Sequence, residues 1–239
     1  MKQSAFIKGI TDGIPICLGY LSVSFAFGIF SVGQGLSIFE TILISMTNVT
    51  SAGQLAGVPI IAGGGTLIEM AASQLIINLR YALMSVSLSQ KLDRGFTFLH
   101  RALVAFVNTD EVFAVASSQK GHVSRSYMYG LILTPYFGWT LGTAAGAIAG
   151  DILPAIVTSS LGIAIYGMFI AIVVPEMKIS RPTALCVAIA IVLSCLFYYV
   201  PGLNTIPSGF VIILCAVIAS TILALAAPLP IAEGEDDDA

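Results

Sequence analysis

The stretch S-M-T-N-V-T-S-A-G-Q-L-A-G-V-P, residues 45 to 59, decides how this chain folds. In a soluble loop its composition would be ordinary. Here it interrupts an apolar run of about residues 37 to 62, in a chain that is 57% hydrophobic and only 10% charged. Soluble domains carry roughly 25% charged residues. Most of the chain falls into apolar stretches of about 17 to 25 residues, the length of helix that crosses a roughly 30 Å hydrocarbon core. Backbone that departs from helix at that depth survives only where protein or a water-filled cavity supplies hydrogen-bond partners. Segment two therefore reads as a broken or re-entrant helix. A transmembrane barrel would need segments of about ten residues with alternating polarity, and none occurs.

Working outward, segment one covers about residues 12 to 32. Thr11 or Asp12 is its expected cap, with Pro15 tolerated in the first turn. Lys2 and Lys8 mimic a signal peptide, but the following apolar run is too long for one and reads as a retained first helix. Gly19 and Gly28, with Ser22 and Ser24, allow a neighbouring helix to approach closely. On the other side, segment three spans about 64 to 90 and carries Glu69, Ser73, Arg80 and Ser87. At 100° per residue these lie within about 40° of one another, forming one polar stripe. Glu69 and Arg80 are roughly 16 Å apart along the axis and cannot pair directly.

Residues 91 to 125 are the most polar interior part. The run A-L-V-A-F-V-N-T-D-E-V-F-A-V-A (102 to 116) is too short and broken to cross, and Asn108 or Thr109 ahead of Asp110 and Glu111 reads as a helix start. The last four segments run about 126 to 150, 154 to 175, 183 to 200 and 207 to 227, punctuated by prolines. The fold class is all-α: a polytopic helical membrane protein with about seven apolar segments, one of them broken or re-entrant. Residues 1–227 form a single transmembrane domain, and 228–239 an acidic, disordered tail holding five of the 13 acidic residues.

Loop charges set the expected orientation. Lys2, Lys8, Lys91, Arg94, Arg101, Lys120, Arg125, Lys178 and Arg181 all lie on the cytoplasmic side if segment two fails to cross, which leaves six crossings and both termini inside. If segment two and the 100 to 118 region both crossed, there would be eight. A weak internal repeat, with halves 12–90 and 126–200, pairs Gly28 with Gly142, Ser45 with Ser159, Gly53 with Gly167 and Phe25 with Trp139. Transporters are often built from such repeats, with substrate held where helices are discontinuous.

The chemistry follows from where polar groups fall. Arg80 is an ionisable residue deep in a membrane helix, which needs either a structural ion-pair partner or a functional one. Asp12, Glu69, Asp110 and Glu111 are the carboxylates available as caps, as partners of Arg80 or as ion-coupling sites. Ser51, Gly53, Gln54 and Gly57 either pack helices closely or form a substrate-binding break, where half-helix ends suit the two charges of a zwitterion. Asn78 and Tyr81 flank Arg80 and complete that candidate set. Cys17, Cys186, Cys195 and Cys215 lie in apolar segments, and His100 and His122 have no partner at metal-ligand spacing, so no metal or cofactor is expected. Enzyme signatures such as G-x-S-x-G, H-E-x-x-H and the P-loop are absent, as is any nucleic-acid footprint.

D-G-I-P-I-C-L-G-Y-L-S-V-S-F-A-F-G (Asp12 to Gly28), S-A-G-Q-L-A-G (Ser51 to Gly57), N-L-R-Y-A-L-M-S-V-S-L (Asn78 to Leu88), T-D-E-V-F-A (Thr109 to Ala114) and Y-F-G-W-T-L-G-T-A-A-G (Tyr136 to Gly146) follow one another in an order that resembles the AzlC family of prokaryotic membrane proteins. The resemblance covers roughly residues 5 to 225. It implies a secondary transporter in the cytoplasmic membrane that exports branched-chain amino acids such as leucine, isoleucine and valine. It also implies a complex with a small AzlD-type membrane subunit. Many members carry an apolar or aromatic residue before A-G-x-Q, where this chain has T-S-A-G-Q. From another class, a non-transporting scaffold or sensor subunit would use the same polar breaks for assembly.

Overall fold

In the computed structural model, residues 4–154, 156, 166–167, 170, 173–175 and 177–226 are described. The chain divides into two units, Met1–Phe169 and Ile170–Ala239. Helix α1 runs Ala5–Gly33 and is capped by Ser4, whose side chain accepts from the Ile7 N–H at 3.3 Å. The helix therefore starts seven residues ahead of the expected cap, and Pro15 lies within it rather than in its first turn. Packing supplies the extra turns: Gly9 sits directly against the backbone of Tyr127 and Leu131.

That contact belongs to a long seam between α1 and α7 (Arg125–Ile152). The two helices run parallel, because contacts advance in step from Gly9 beside Tyr127, through Gly138 beside Cys17, to Gly150 beside Ile29. Their backbones nearly touch. A Cβ at Gly146 would lie 2.0 Å from the Phe25 carbonyl oxygen, so only glycine fits. Across the same seam Tyr20 and Trp139 meet edge to face, with ring centroids 5.1 Å apart.

Segment two forms two short helices, α2 (Ile38–Thr47) and α3 (Ser51–Ala62), separated by an extended break at residues 48–50. Ser37 and Glu40 close a capping box at the start of α2, and Thr50 caps α3. Segment three is α4 (Leu67–Lys91), capped by Thr66. Residues expected to be too broken to cross form α5 (Phe98–Phe106) and α6 (Asp110–Ser118), with Thr109 accepting from the Val112 N–H at 3.4 Å as the cap of α6.

The hydrogen bonds sort these elements into two ends. At one, the start of α1 meets the end of α6 and the start of α7, since Lys8 bonds Gln119 and lies over the Tyr127 ring. Lys91 at the end of α4 bonds the Ser117 carbonyl, and His100 in α5 bonds Tyr129 and Arg125. This end is basic. At the other, Ser31 in α1 bonds Thr41 in α2, and Val58 in α3 packs with Phe27, Phe30 and Leu36. Helices α1, α4 and α7 run from end to end. Helices α2 and α3 enter and return on the far side, and α5 and α6 do the same from the basic side.

The surface is oily, and several polar side chains are buried beneath it. Leu18, Leu75 and Leu83 are 63%, 66% and 71% exposed, whereas Ser45, Gln54 and Thr143 are 0%, 1% and 0% exposed. An oily exterior, with buried polar groups paired inside the protein, is what a bilayer selects.

The second unit holds α8 (Arg181–Tyr199), capped by Ser180 with Pro182 in its first turn, and α9 (Ser208–Ala226). Gly202, at φ 91°, leads into a short 3₁₀ turn, Leu203–Thr205, between them. Helices α1, α8 and α9 are each long and apolar enough to cross a membrane. No strand occurs among the described residues. The chain is an all-α membrane protein. Most of the expected segment at 154 to 175, the Ser159 repeat partner and the acidic tail lie outside the described residues.

Candidate functional site

The two returning hairpins point their breaks at each other. Thr47, Asn48, Val49 and Thr50 at the α2–α3 tip, and Ala105, Phe106 and Asn108 at the α5–α6 tip, line one cavity of about 250 Å³. Asn78 and Tyr81 of α4 complete its wall. Both tips arise from the same local chemistry: a Thr, Thr50 or Thr109, turns its hydroxyl back to cap the outgoing helix after an Asn at 48 or 108. Threonine and asparagine favour such caps over helix interiors, so each apolar run breaks there.

Four half-helix ends therefore converge. The carbonyl ends of α2 and α5 bring partial negative charge, and the N–H ends of α3 and α6 partial positive charge. The first turn of α6 holds Asp110 and Glu111, which offset its positive end, whereas α3 has no acidic residue there. The uncompensated positive end belongs to α3.

A hydrogen-bonded chain runs along the cavity wall. Asp110 pairs with Arg80 at 2.8 Å, Arg80 donates to the Tyr81 hydroxyl at 3.3 Å, and that hydroxyl donates to Thr50 Oγ1 at 3.4 Å. Thr50 donates in turn to Asn78 Oδ1 at 3.1 Å, Asn78 to Gln74 at 3.0 Å, and Gln74 to the Gly53 carbonyl at 2.8 Å. The chain links the start of α6 to the start of α3 through α4. The outgoing helices of both hairpins are thus tied to one chain of four α4 residues, Gln74, Asn78, Arg80 and Tyr81.

The expected binding residues divide between this chain and the packing around it. Asn78 and Tyr81 share one face of α4 and both bond Thr50, whereas Arg80 is connected to it through the Tyr81 hydroxyl. Gly53 and Gly57 lie against Gln74 and Met70 of α4, where Gly53 permits the close approach. Ser51 opens α3 and is half-buried. Gln54 is committed elsewhere: its Oε1 accepts from Trp139 Nε1 at 3.0 Å and its Nε2 donates to Ser45 Oγ at 3.0 Å, which pairs with Thr143 at 2.7 Å. That buried network fastens α3 to α2 and α7.

The carboxylates are dispersed. Asp12 accepts from the Tyr127 hydroxyl at 2.7 Å within α1, so its expected role as cap is replaced by a bond across the α1–α7 seam. Glu111 accepts from the Tyr20 hydroxyl. Glu69 is buried in the first turn of α4, beside Gly65. The polar stripe of α4 splits: Glu69 and Ser73 are buried, whereas Arg80 and Ser87 are exposed. Packing on α4 is one-sided at each level, so helical phase alone does not set burial.

Sequence reasoning passed over Asn48, Thr50, Ala105, Phe106 and Asn108 as wall residues. The signal for them was the recurrence of Asn, Thr and a following helix start at 48–51 and at 108–110.

Three comparisons bear on this arrangement. The family described as AzlC protein matches residues 15–153, which hold both hairpins and most of the seam. An inner membrane protein of Escherichia coli, YgaZ, is 29% identical over 198 residues, covering 80% of each chain. A membrane protein of Archaeoglobus fulgidus, described as uncharacterized, is 32% identical over 179 residues, 74% of this chain and 78% of that one. No solved structure matches the chain.

Proposed function

This chain belongs to the AzlC family, and from that premise we propose that it is a secondary transporter exporting branched-chain amino acids, such as leucine, isoleucine and valine, across the cytoplasmic membrane of a prokaryote. The cavity between the opposed hairpin tips carries this reading. Its volume of about 250 Å³ and its mixed wall suit one small amphiphile: Val49, Ala105 and Phe106 offer an apolar surface for a branched side chain, and Asn48, Asn78, Thr50 and Tyr81 offer fixed polar groups. The uncompensated end of α3 favours a carboxylate, and the carbonyl ends of α2 and α5 an ammonium. Hairpins entering from opposite sides place this cavity between two barriers, the geometry that alternating access requires.

The basic end, with Lys8, Lys91, Arg101 and Arg125, is the cytoplasmic face by the positive-inside rule, so the N-terminus lies inside. Six crossings and an internal C-terminus follow if residues 154–175 cross once. The chain works with a small AzlD-type membrane subunit, and its exposed apolar flanks are available to lipid and to that subunit. Arg80 adjoins the cavity through Tyr81 and pairs with Asp110, and protonation of Asp110 would free Arg80 for the substrate carboxylate.

The test is counterflow of labelled leucine in proteoliposomes holding this chain with its small partner. Ala105→Phe places an aromatic ring in the cavity, and the expected result is loss of flux with unchanged melting behaviour. Undiminished flux in that variant would remove the cavity from the pathway. No substrate-dependent flux in the wild-type complex would overturn the transport reading.

A further inference from the structure

Two cavities meet at Asn108. Besides the one between the hairpin tips, a second of about 110 Å³ lies in the groove between α4 and α5. Its wall includes Ser85, Ser89, Val104 and Arg101, and it shares Ala105 and Asn108 with the first. The α4 positions that line the two, from Asn78 and Tyr81 to Ser85, Ser89 and Leu92, follow one face of the helix down to the basic end. Anything passing between the hairpin tips and that end along this groove passes Asn108.

Asn108 is 4% exposed. Its Nδ2 donates to Ser85 Oγ at 3.3 Å, which orients the amide, and its Oδ1 is buried with no hydrogen-bond partner. A buried carbonyl oxygen without a donor is costly, and native structures rarely leave one unmet unless water or a ligand supplies the donor. Its surroundings select the kind of donor. The carbonyl ends of α2 and α5 face the same cavity and favour positive charge, while Arg80 is held by Asp110 and Arg101 by the Ser89 carbonyl at 3.4 Å. The unpaired oxygen therefore suits an incoming cation that brings several N–H donors.

We infer that Asn108 Oδ1 is the acceptor for the ammonium group of the transported molecule, at the junction of the substrate cavity with the groove to the basic end. The inference rests on the transport reading for the molecule's identity, but makes a separate claim about one atom. Selectivity for a primary ammonium would then reside in Asn108 of the α5–α6 tip, and selectivity for the carboxylate in the α2–α3 tip.

The experiment measures ligand affinity of the purified full-length chain, alone and with its small partner, using three probes: L-leucine, 3-methylbutylammonium and 4-methylpentanoate. Asn108→Leu keeps the size and removes the acceptor; affinity for the first two probes should fall roughly tenfold or more, while that for the carboxylate probe stays unchanged. Asn108→Asp keeps the acceptor and should restore binding of both ammonium probes, which separates loss of the contact from misfolding. Unchanged affinity of Asn108→Leu for leucine overturns the inference even if leucine flux is normal. Failure of the wild-type chain to bind either ammonium probe in both preparations overturns it too. Asn108-dependent leucine binding without leucine flux would uphold the inference while the export reading falls.

Discussion

The two hairpins are built alike and held differently. Each is a pair of short helices broken at an Asn and a Thr, and each returns to the end it entered from. The α2–α3 hairpin is fixed by a fully buried hydrogen-bonded chain from Trp139 through Gln54 and Ser45 to Thr143, with every member satisfied inside the protein. The α5–α6 hairpin is held near its tip by the Arg80–Asp110 ion pair, whose side chains are 51% and 44% exposed, and by an asparagine with one end unmet. Buried, satisfied networks are rigid, whereas half-exposed ion pairs contribute little and exchange easily. The far-side hairpin is thus tied through buried polar groups, whereas the basic-side hairpin is tied at its tip by an exposed ion pair and deeper by the Tyr20–Glu111 bond and the apolar packing of Val112 and Ala116.

Five substitutions would break or sharpen that contrast. The largest effect is expected at Gly146, because α7 is the post on which the far-side hairpin leans. In Gly146→Leu the added side chain meets the Phe25 backbone, and the protein should fail to accumulate as a monodisperse species in detergent chromatography. Next is Gln54→Leu, which strands Trp139 Nε1 and unpairs one side of Ser45. A loss of about 2 to 4 kcal/mol is expected, read as a lower melting temperature. A melting temperature equal to wild type would mean the far-side hairpin is not fastened by this network.

Smaller effects are expected at the caps. Thr50→Ala and Thr109→Ala should each cost about 1 kcal/mol, and hydrogen exchange should rise in α3 for the first and in α6 for the second. Exchange spreading from Thr50→Ala into α6 would show that the hairpins open as one unit, contrary to the contrast drawn here. The smallest change in stability, no more than about 1 kcal/mol, is expected for Arg80→Gln, since the pair is half-exposed. Leucine efflux should nevertheless fall, because the hairpin loses its tether and the cavity the charge that adjoins it through Tyr81. Normal efflux with normal expression would confine Arg80 to packing.

How far these features were legible differs from one residue to the next. The break at 45–59 could be read because Asn48, Thr50 and Gln54 are expensive in hydrocarbon, so their presence in an oily run demanded a local reason. The ends of α4, α7, α8 and α9 were close to their apolar boundaries for the same reason. The early start of α1 was hidden, because Asp12, Gly13 and Pro15 look like the beginning of a helix until Gly9 is seen against α7. Gln54 looked like a ligand for substrate, and nothing local reveals that Trp139, 85 residues away, takes its oxygen. The helical phase of α4 grouped Glu69 with Arg80, yet packing buries one and exposes the other.

What the sequence determined by itself was the solvent and the punctuation. Its hydrophobicity placed the chain in a bilayer, and its Thr, Asn, Gly and Pro residues set where helices begin, end and break, since those are local costs paid within a turn or two. Only the tertiary structure decided that two breaks more than fifty residues apart face one cavity, that α1 and α7 lie backbone to backbone, and that Asp110 rather than Glu69 meets Arg80. Such choices depend on which surfaces approach within a few ångströms, and that is a property of the packed helices together.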